Sequence, residues 1–395
     1  MTATLTPQPI ATATPITTLD RIGFELGWDY AHHRVCPPEA YAQAPSPLRD
    51  GLLAGQATFG LRTLNATRHV RKWLQLRLHA WLRGRSVELV QVTPNHLAQL
   101  DVSHCPITRA ALSVATLEAS DASQGNAGPP QVSLTPSGGG RREAEAWGHS
   151  VDRVRNDAGY AAGNLAVMST KANHAKAGHG FRDAIQFVKR VEAGALGGID
   201  GLTAAQWARV AVLCSFVEPM PHDEACALPL LVLPPNRLRL FNPAQALQAF
   251  VSRQLLVPGW SQRVSRIEAL MPGKPAQRAF RDFFHALLPR VLEAGRNIAP
   301  MEARWAVEDA WRNPLLQRRW TAFARMLTAE QCEALVHRAT AKKLGTGVAN
   351  PLSDTQATEG WNLATRGYVP HAAAAAEPTG HTLMDAAGQQ MLLAI

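Results

Sequence analysis

Over most of the chain the apolar positions recur with a helical period. In LRTLNATRHVRKWLQLRLHAWLRGR, Val70, Leu74, Leu78 and Trp81 form one stripe, which predicts a helix with Arg68, Arg71, Lys72 and Arg83 off that stripe. From Leu202 onward the same period returns in LTAAQWARVAVLCSF, NPAQALQAFVSRQLL, PAQRAFRDFFHALLPRVLEAG, APMEARWAVEDAWRNPLLQRRWTAFARML and TAEQCEALVHRATAKKL. Several of these open on a Thr or Asn cap, or on Pro in the first turn, and their tryptophans read as core. Strand-like alternation is confined to SVELVQV, read as a strand running into a Pro-initiated helix, and to WGHSVDRV. The segment FELGWDYAHHRVCPPEAYAQAPSPLRDG mixes aromatics with turn-forming prolines and reads as cover for a core without long elements. The expected fold is therefore mainly α with a small α+β module. Residues 1–20 read as a disordered tail, 21–98 as a basic, mostly helical region, and 99–190 as the module, with a Gly/Pro-rich insertion at 121–146. Residues 200–345 read as a helical C-terminal domain and 346–395 as a low-complexity tail.

Composition adds a partner class. Of 395 residues, 40 are Lys or Arg against 31 Asp or Glu, a formal charge of +9, which favours a polyanion such as nucleic acid. No acidic residue falls between Gly51 and Val87, whereas Arg62, Arg68, Arg71, Lys72, Arg77, Arg83 and Arg85 do. That stretch either tracks phosphates or is a solvated helix face. The five cysteines are scattered without a C-x-x-C pair, which argues against a disulfide framework and for a reducing, cytoplasmic compartment. The N-terminal MTATLTPQPIATATPITTLD lacks a basic n-region, and the most apolar run, CALPLLVLPP, is too short to span a bilayer.

The densest polar stretch is HSVDRVRNDAGYAAGNLAVMSTKANHAK, from His149 to Lys176. Alternation puts Val151 and Arg153 on one face of a short strand, with Asp152 and Val154 on the other. RNDAGY supplies a tight turn, Tyr160 begins the return, and Asn164 caps a helix carrying Leu165, Met168, Ala172 and Ala175. The unit is strand, strand, helix, and Asp152 and Asn173 are expected to converge.

The form S-x-D-R-x-x-N-x-x-G-Y-x-x-G-N followed by A-N-x-x-K resembles the HNH endonuclease family, in the variety common in phage and mobile-element proteins. The likeness covers about thirty residues and extends upstream to SHCPITR, where Cys105 stands in the leading knuckle. It implies a ββα-metal, treble-clef-like unit embedded between helical regions. Asp152 and Asn173 would hold a divalent cation, most simply Mg²⁺, and Asn164 would orient the loop by hydrogen bonding. Water would then attack a phosphodiester of DNA, with RNA left open, while Arg153 grips a phosphate. Lys176 reads as a surface cation and secondarily a phosphate contact. Arg68, Arg71 and Lys72 would supply sequence-independent contacts.

Two departures bear on chemistry. The family's general-base His is replaced by Arg153, which cannot accept a proton, so His149, His174 or His179 must substitute; His174, beside Asn173, is the best placed. The family's paired zinc cysteines correspond here to Cys105 with Thr108 and Ser169 with Ala172, so a structural zinc is not expected. Three readings follow: a metal-dependent endonuclease, a nucleic-acid-binding descendant that has lost cleavage, and an interaction protein docking a partner through its C-terminal helices.

Overall fold

Thr17 opens the first helix through a capping box: its hydroxyl accepts from Asp20 N at 3.1 Å, and the Asp20 carboxylate accepts from Thr17 N at 3.0 Å. In this computed structural model, residues 17–112, 148–194, 197–293, 299–345, 358 and 360–369 are described. The expectations for 1–16, for the insertion at 121–146 and for most of 346–395 lie outside those residues. Helix α1 (Thr18–His32), short α2 (Glu39–Gln43) and α3 (Pro47–Phe59) occupy the segment expected to lack long elements. Glycine explains the difference. Gly27 of α1 and Gly51 of α3 let the two backbones touch, since a Cβ on Gly27 would fall on the Leu48 carbonyl and one on Gly51 on that of Phe24. The contact is helix on helix at close range and leaves no apolar stripe to find.

Helix α4 (Arg68–Leu82) carries the expected stripe. Val70, Leu74 and Leu78 pack with Leu26, Tyr30, Leu48 and Leu52 into an N-terminal core, while Leu76 enters a second, larger one. The stretch SVELVQV is not a strand. Val87 makes one parallel bridge to Tyr160 and Arg85 one antiparallel bridge to Tyr368, and helix α5 (Pro94–Leu100) follows. Isolated bridges arise because the segment meets two different partners in succession.

Strands β1 (His149–Arg153) and β2 (Leu165–Ser169) pair antiparallel, with Asp152 opposite Ala166 and Ser150 opposite Met168. All of β2 is buried. The helix expected to begin at Asn164 is therefore a strand in its first turn's place; helix α6 (Thr170–Lys176) starts only after Ser169, whose hydroxyl accepts from Ala172 N at 3.2 Å.

The C-terminal half is helical as expected: α7 (Phe181–Glu192), α8 (Ala204–Ser215), α9 (His222–Ala227), α10 (Pro243–Gln254), α11 (Trp260–Glu268), α12 (Gly273–Leu292), α13 (Pro300–Ala310), α14 (Pro314–Ala324) and α15 (Ala329–Ala341). The single helix read across 299–327 divides at Asn313–Pro314. The Asn313 side chain caps α14 by accepting from Leu315 N at 2.9 Å, and the residue before a proline resists the α conformation. Trp311 and Trp320 are core, as expected. One continuous core joins β2 and α6 to these helices, so the module is not a separate body. Residues 360–369, expected to be low-complexity tail, fold back on it: Trp361 is 1 % exposed, its indole donates to Ala162 O at 3.0 Å, and its carbonyl accepts from Gly159 N at 2.7 Å. Among the described residues no helix is long and apolar enough to cross a membrane.

Candidate functional site

Strand alternation sends Ser150 and Asp152 to the same side of β1, and α6 lies across that side. Asn173 lands on Ser150, its amide donating to the hydroxyl at 2.6 Å. Lys176, one helical turn later, lands on Asp152, its ammonium 3.0 Å from Oδ2. Lysine is rarely buried, yet here it is 0 % exposed and Asp152 only 6 %. The ammonium also donates to Arg153 O at 3.0 Å, and the Asn156 amide, turned to donate to Ala177 O at 3.1 Å, accepts from it at 3.2 Å. Three oxygens thus surround three N–H donors, the condition for holding a charge away from water. Contact with Oδ2 is ionic, outside directed hydrogen-bond geometry. Burial pushes the Asp152 carboxyl above its ordinary pKa, against the opposing pull of Lys176.

Lys176 is accordingly an internal cation, not the surface cation and phosphate contact that the sequence led us to expect. A shared divalent ion does not fit these residues. Asp152 faces an ammonium, the Asn173 amide is engaged by Ser150, and among the described residues no group of three acidic, His or Cys side chains could ligate one. His174 lies on the exposed side of α6, whereas residues 172, 173, 175 and 176 turn towards the strands. His179 packs its ring against Phe187 and Trp207.

Asn164 is fully buried and spans the turn: its Oδ1 accepts from Arg155 N at 2.8 Å, and its Nδ2 donates to Arg155 O and Gly159 O, both at 3.0 Å. Arg153 grips the same turn from outside, donating to Asn156 O at 3.1 Å and Ala158 O at 2.8 Å, and its guanidinium lies 5.0 Å from the centre of the Tyr160 ring.

The four knuckle positions converge. Thr108 N donates to Cys105 Sγ at 3.5 Å, Ser169 Oγ donates to the same sulfur at 3.4 Å, and Ala172 N donates to Ser169 Oγ at 3.2 Å. A chain of hydrogen bonds ties the loop at 105–108 to the start of α6. Arg209 secures the loop from α8 by donating to Ile107 O at 2.9 Å, and Arg109 secures it from α13 by an ion pair to Asp309 at 2.6 Å.

On the opposite face of β1, Arg68 and Lys72, two of the residues expected to contact phosphates, are engaged by groups of the protein itself. Arg68 ion-pairs with Asp101, whose Oδ2 also lies 2.8 Å from His69 Nε2, and Lys72 donates to His149 O at 2.7 Å. Burial lowers the pKa of Lys72 and of His149. Arg77 is buried against Asp29. Arg71 is on the exposed side of α4. Within the acid-free run from Gly51 to Val87, Arg68 and Arg77 thus meet carboxylates that come from after and before it.

Sequence reasoning placed Arg85 in the basic run and Tyr160 on the return from the turn, but passed over Tyr368 and the meeting of the three. The Arg85 guanidinium lies 3.9 Å from the centre of the Tyr368 ring. A basic residue at 85 was visible, but nothing local tied it to an aromatic 283 positions away. Comparison with known proteins adds no relative: no family model, no curated protein and no solved structure matches the chain.

Proposed function

We propose that this chain is a nucleic-acid-binding protein built on an HNH-type ββα scaffold, in which an internal lysine has taken the place of the metal and strand cleavage has been lost. The carrying observation is the Lys176 ammonium 3.0 Å from the Asp152 carboxylate, fully enclosed. The scaffold reading rests on three further features: the docking of α6 on β1 through Asn173 on Ser150 and Lys176 on Asp152, the Asn164 bracket across the turn, and the convergence of Cys105, Thr108, Ser169 and Ala172. Loss of cleavage rests also on Arg153, whose guanidinium cannot take a proton from water and is spent on turn carbonyls. Binding rests on the net charge of +9.

Plasmid nicking in Mg²⁺ and in Mn²⁺, run beside gel retardation over a salt series, tests both halves. The expected result is retardation that weakens steeply with salt and no nicked product. Nicking by the parent that Asp152→Asn abolishes would show an active nuclease instead. Absence of retardation at low salt would remove the nucleic acid and leave the C-terminal helices as the functional surface.

A further inference from the structure

Three distant segments meet beside the turn that Asn164 and Arg153 hold. Ser86 N donates to Gly367 O at 2.8 Å, Val369 N to Gly84 O at 2.8 Å, Tyr160 N to Ser86 O at 2.9 Å, and Glu88 N to Tyr160 O at 2.9 Å. Residues 84–88 thus lie between 158–160 and 366–369, laced to both by backbone hydrogen bonds. Close approach is enforced at Gly159, where a Cβ would run into the Ser86 hydroxyl, and at Gly367, where one would meet the Ala158 carbonyl.

This platform carries two Arg–Tyr stacks. Arg85 lies over Tyr368 and Arg153 over Tyr160, the two stacks adjoin because residues 86–88 bond to Tyr160 along the backbone, and burial first, then the charge of Arg153, lower the pKa of Arg85. Arg83 adds to that lowering. Neither Arg85 nor Arg153 ion-pairs with a carboxylate among the described residues, in contrast to Arg68, Arg77, Arg109 and Arg155. The carboxylates that feel Arg153, Asp152 and Asp157, are already held by Lys176 and by Arg155. Backbone carbonyls hold both side chains in place, Arg366 O accepting from Arg85 at 2.9 Å and Asn156 O and Ala158 O from Arg153 Nη1, but carbonyls leave the two positive charges uncompensated, which favours an anion beside them. Tyr368 remains 47 % exposed, an unusual state for a large aromatic ring pinned at its backbone.

We infer that the Arg85–Tyr368 and Arg153–Tyr160 stacks form the docking surface for a single nucleic-acid strand, one phosphate lying between the two guanidiniums and an unpaired base stacking on Tyr368. This rests on the nucleic-acid-binding reading above and adds the face and the strandedness. A single strand fits better than a duplex, because an exposed ring offers stacking only to a base free of its partner, and guanidinium backing strengthens that stack.

The test is fluorescence anisotropy of the full-length protein with a labelled oligothymidine of about 20 nucleotides and with a duplex of equal length, over a salt series. Tyr368→Ala is expected to weaken strand binding by about tenfold, with Tyr368→Phe near the parent. Arg85→Gln is expected to lower the salt slope by about 0.7, the value for one phosphate of a single strand, and Arg85→Lys to restore it. Arg319→Gln, on a remote helix, controls for loss of bulk charge, and circular dichroism confirms that each variant is folded. If the parent binds the strand but Tyr368→Ala and Arg85→Gln bind like the parent, this face is wrong while the broader reading stands. A parent that prefers the duplex, with Tyr368→Ala unchanged, overturns strandedness and stacking together. A parent that binds neither probe overturns both proposals.

Discussion

Lys176 and Asp152 show how much one residue's meaning depends on what surrounds it. A lysine near the end of a short polar helix has every sequence reason to be solvated, yet it is enclosed because the i, i+3 step from Asn173 carries it onto the next inward position of β1. Removing one member of such a pair leaves an uncompensated charge. Lys176→Met is therefore expected to destabilise the fold by about 3–5 kcal/mol in urea denaturation, and Asp152→Leu/Lys176→Met to recover most of that loss. A single variant no less stable than the parent would mean that the ion pair does not form. Histidines give a second expectation at this scale. Burial depresses the pKa of His33, His96 and His149, so the unfolded chain takes up protons that the folded one refuses. Their contribution to stability is complete above the ordinary imidazole pKa of about 6.5 and is lost as pH falls below it towards the depressed folded values. The urea midpoint should drop between pH 7.5 and pH 5.5, about that ordinary value, and His96→Gln should make the drop shallower. A midpoint that rises on acidification would contradict this.

At the scale of elements, helices with an apolar stripe and a cap were legible, and those packed through glycine were not. Helix α4 and most of the C-terminal helices announced themselves by period and by N-cap. Helices α1 and α3 did not, because Gly23, Gly27, Gly51 and Gly55 count as helix breakers in isolation and become contact residues only once two helices cross. Gly27→Leu is expected to force that crossing apart. Amide exchange should then accelerate across 18–32 and 47–59 while residues 243–254 and 329–341 keep the protection of the parent. Uniform acceleration would instead mean that the N-terminal core and the main core unfold as one unit. The strand read at SVELVQV failed for a related reason. Its alternation is real, but its two bridging partners come from residues 160 and 368, so no ladder grows.

Across the whole molecule, the two-strand segment is continuous with the C-terminal helices, and residues 360–369 close over its turn. Trp361 is the bolt: it is buried, donates to Ala162 O, and stacks edge-on against Phe241. Trp361→Ala is expected to cost about 3–5 kcal/mol. Limited proteolysis should cut near residue 360 in the variant earlier than in the parent. Equal cutting rates would mean that the returning segment is held by its backbone bonds alone. Because Tyr368 rides on this segment, the variant should also weaken strand binding.

The chain's own order of residues determined a mainly helical protein, the first strand at 149–153 with the tight turn after it, and the burial of Trp311 and Trp320. Each of these follows from local period, local turn chemistry or sheer apolar bulk, and none needs a distant partner. Only the tertiary structure decided which charges face water. Arg68, Lys72 and Arg77 were engaged within the protein because Asp101, His149 and Asp29 arrived from outside their run, and Lys176 was enclosed by a strand that precedes it by some twenty residues. Conversely, Arg85 and Arg153 ion-pair with no carboxylate among the described residues and lie against tyrosines instead. Charge is read by its neighbours, and neighbours across a fold are set by packing rather than by adjacency along the chain.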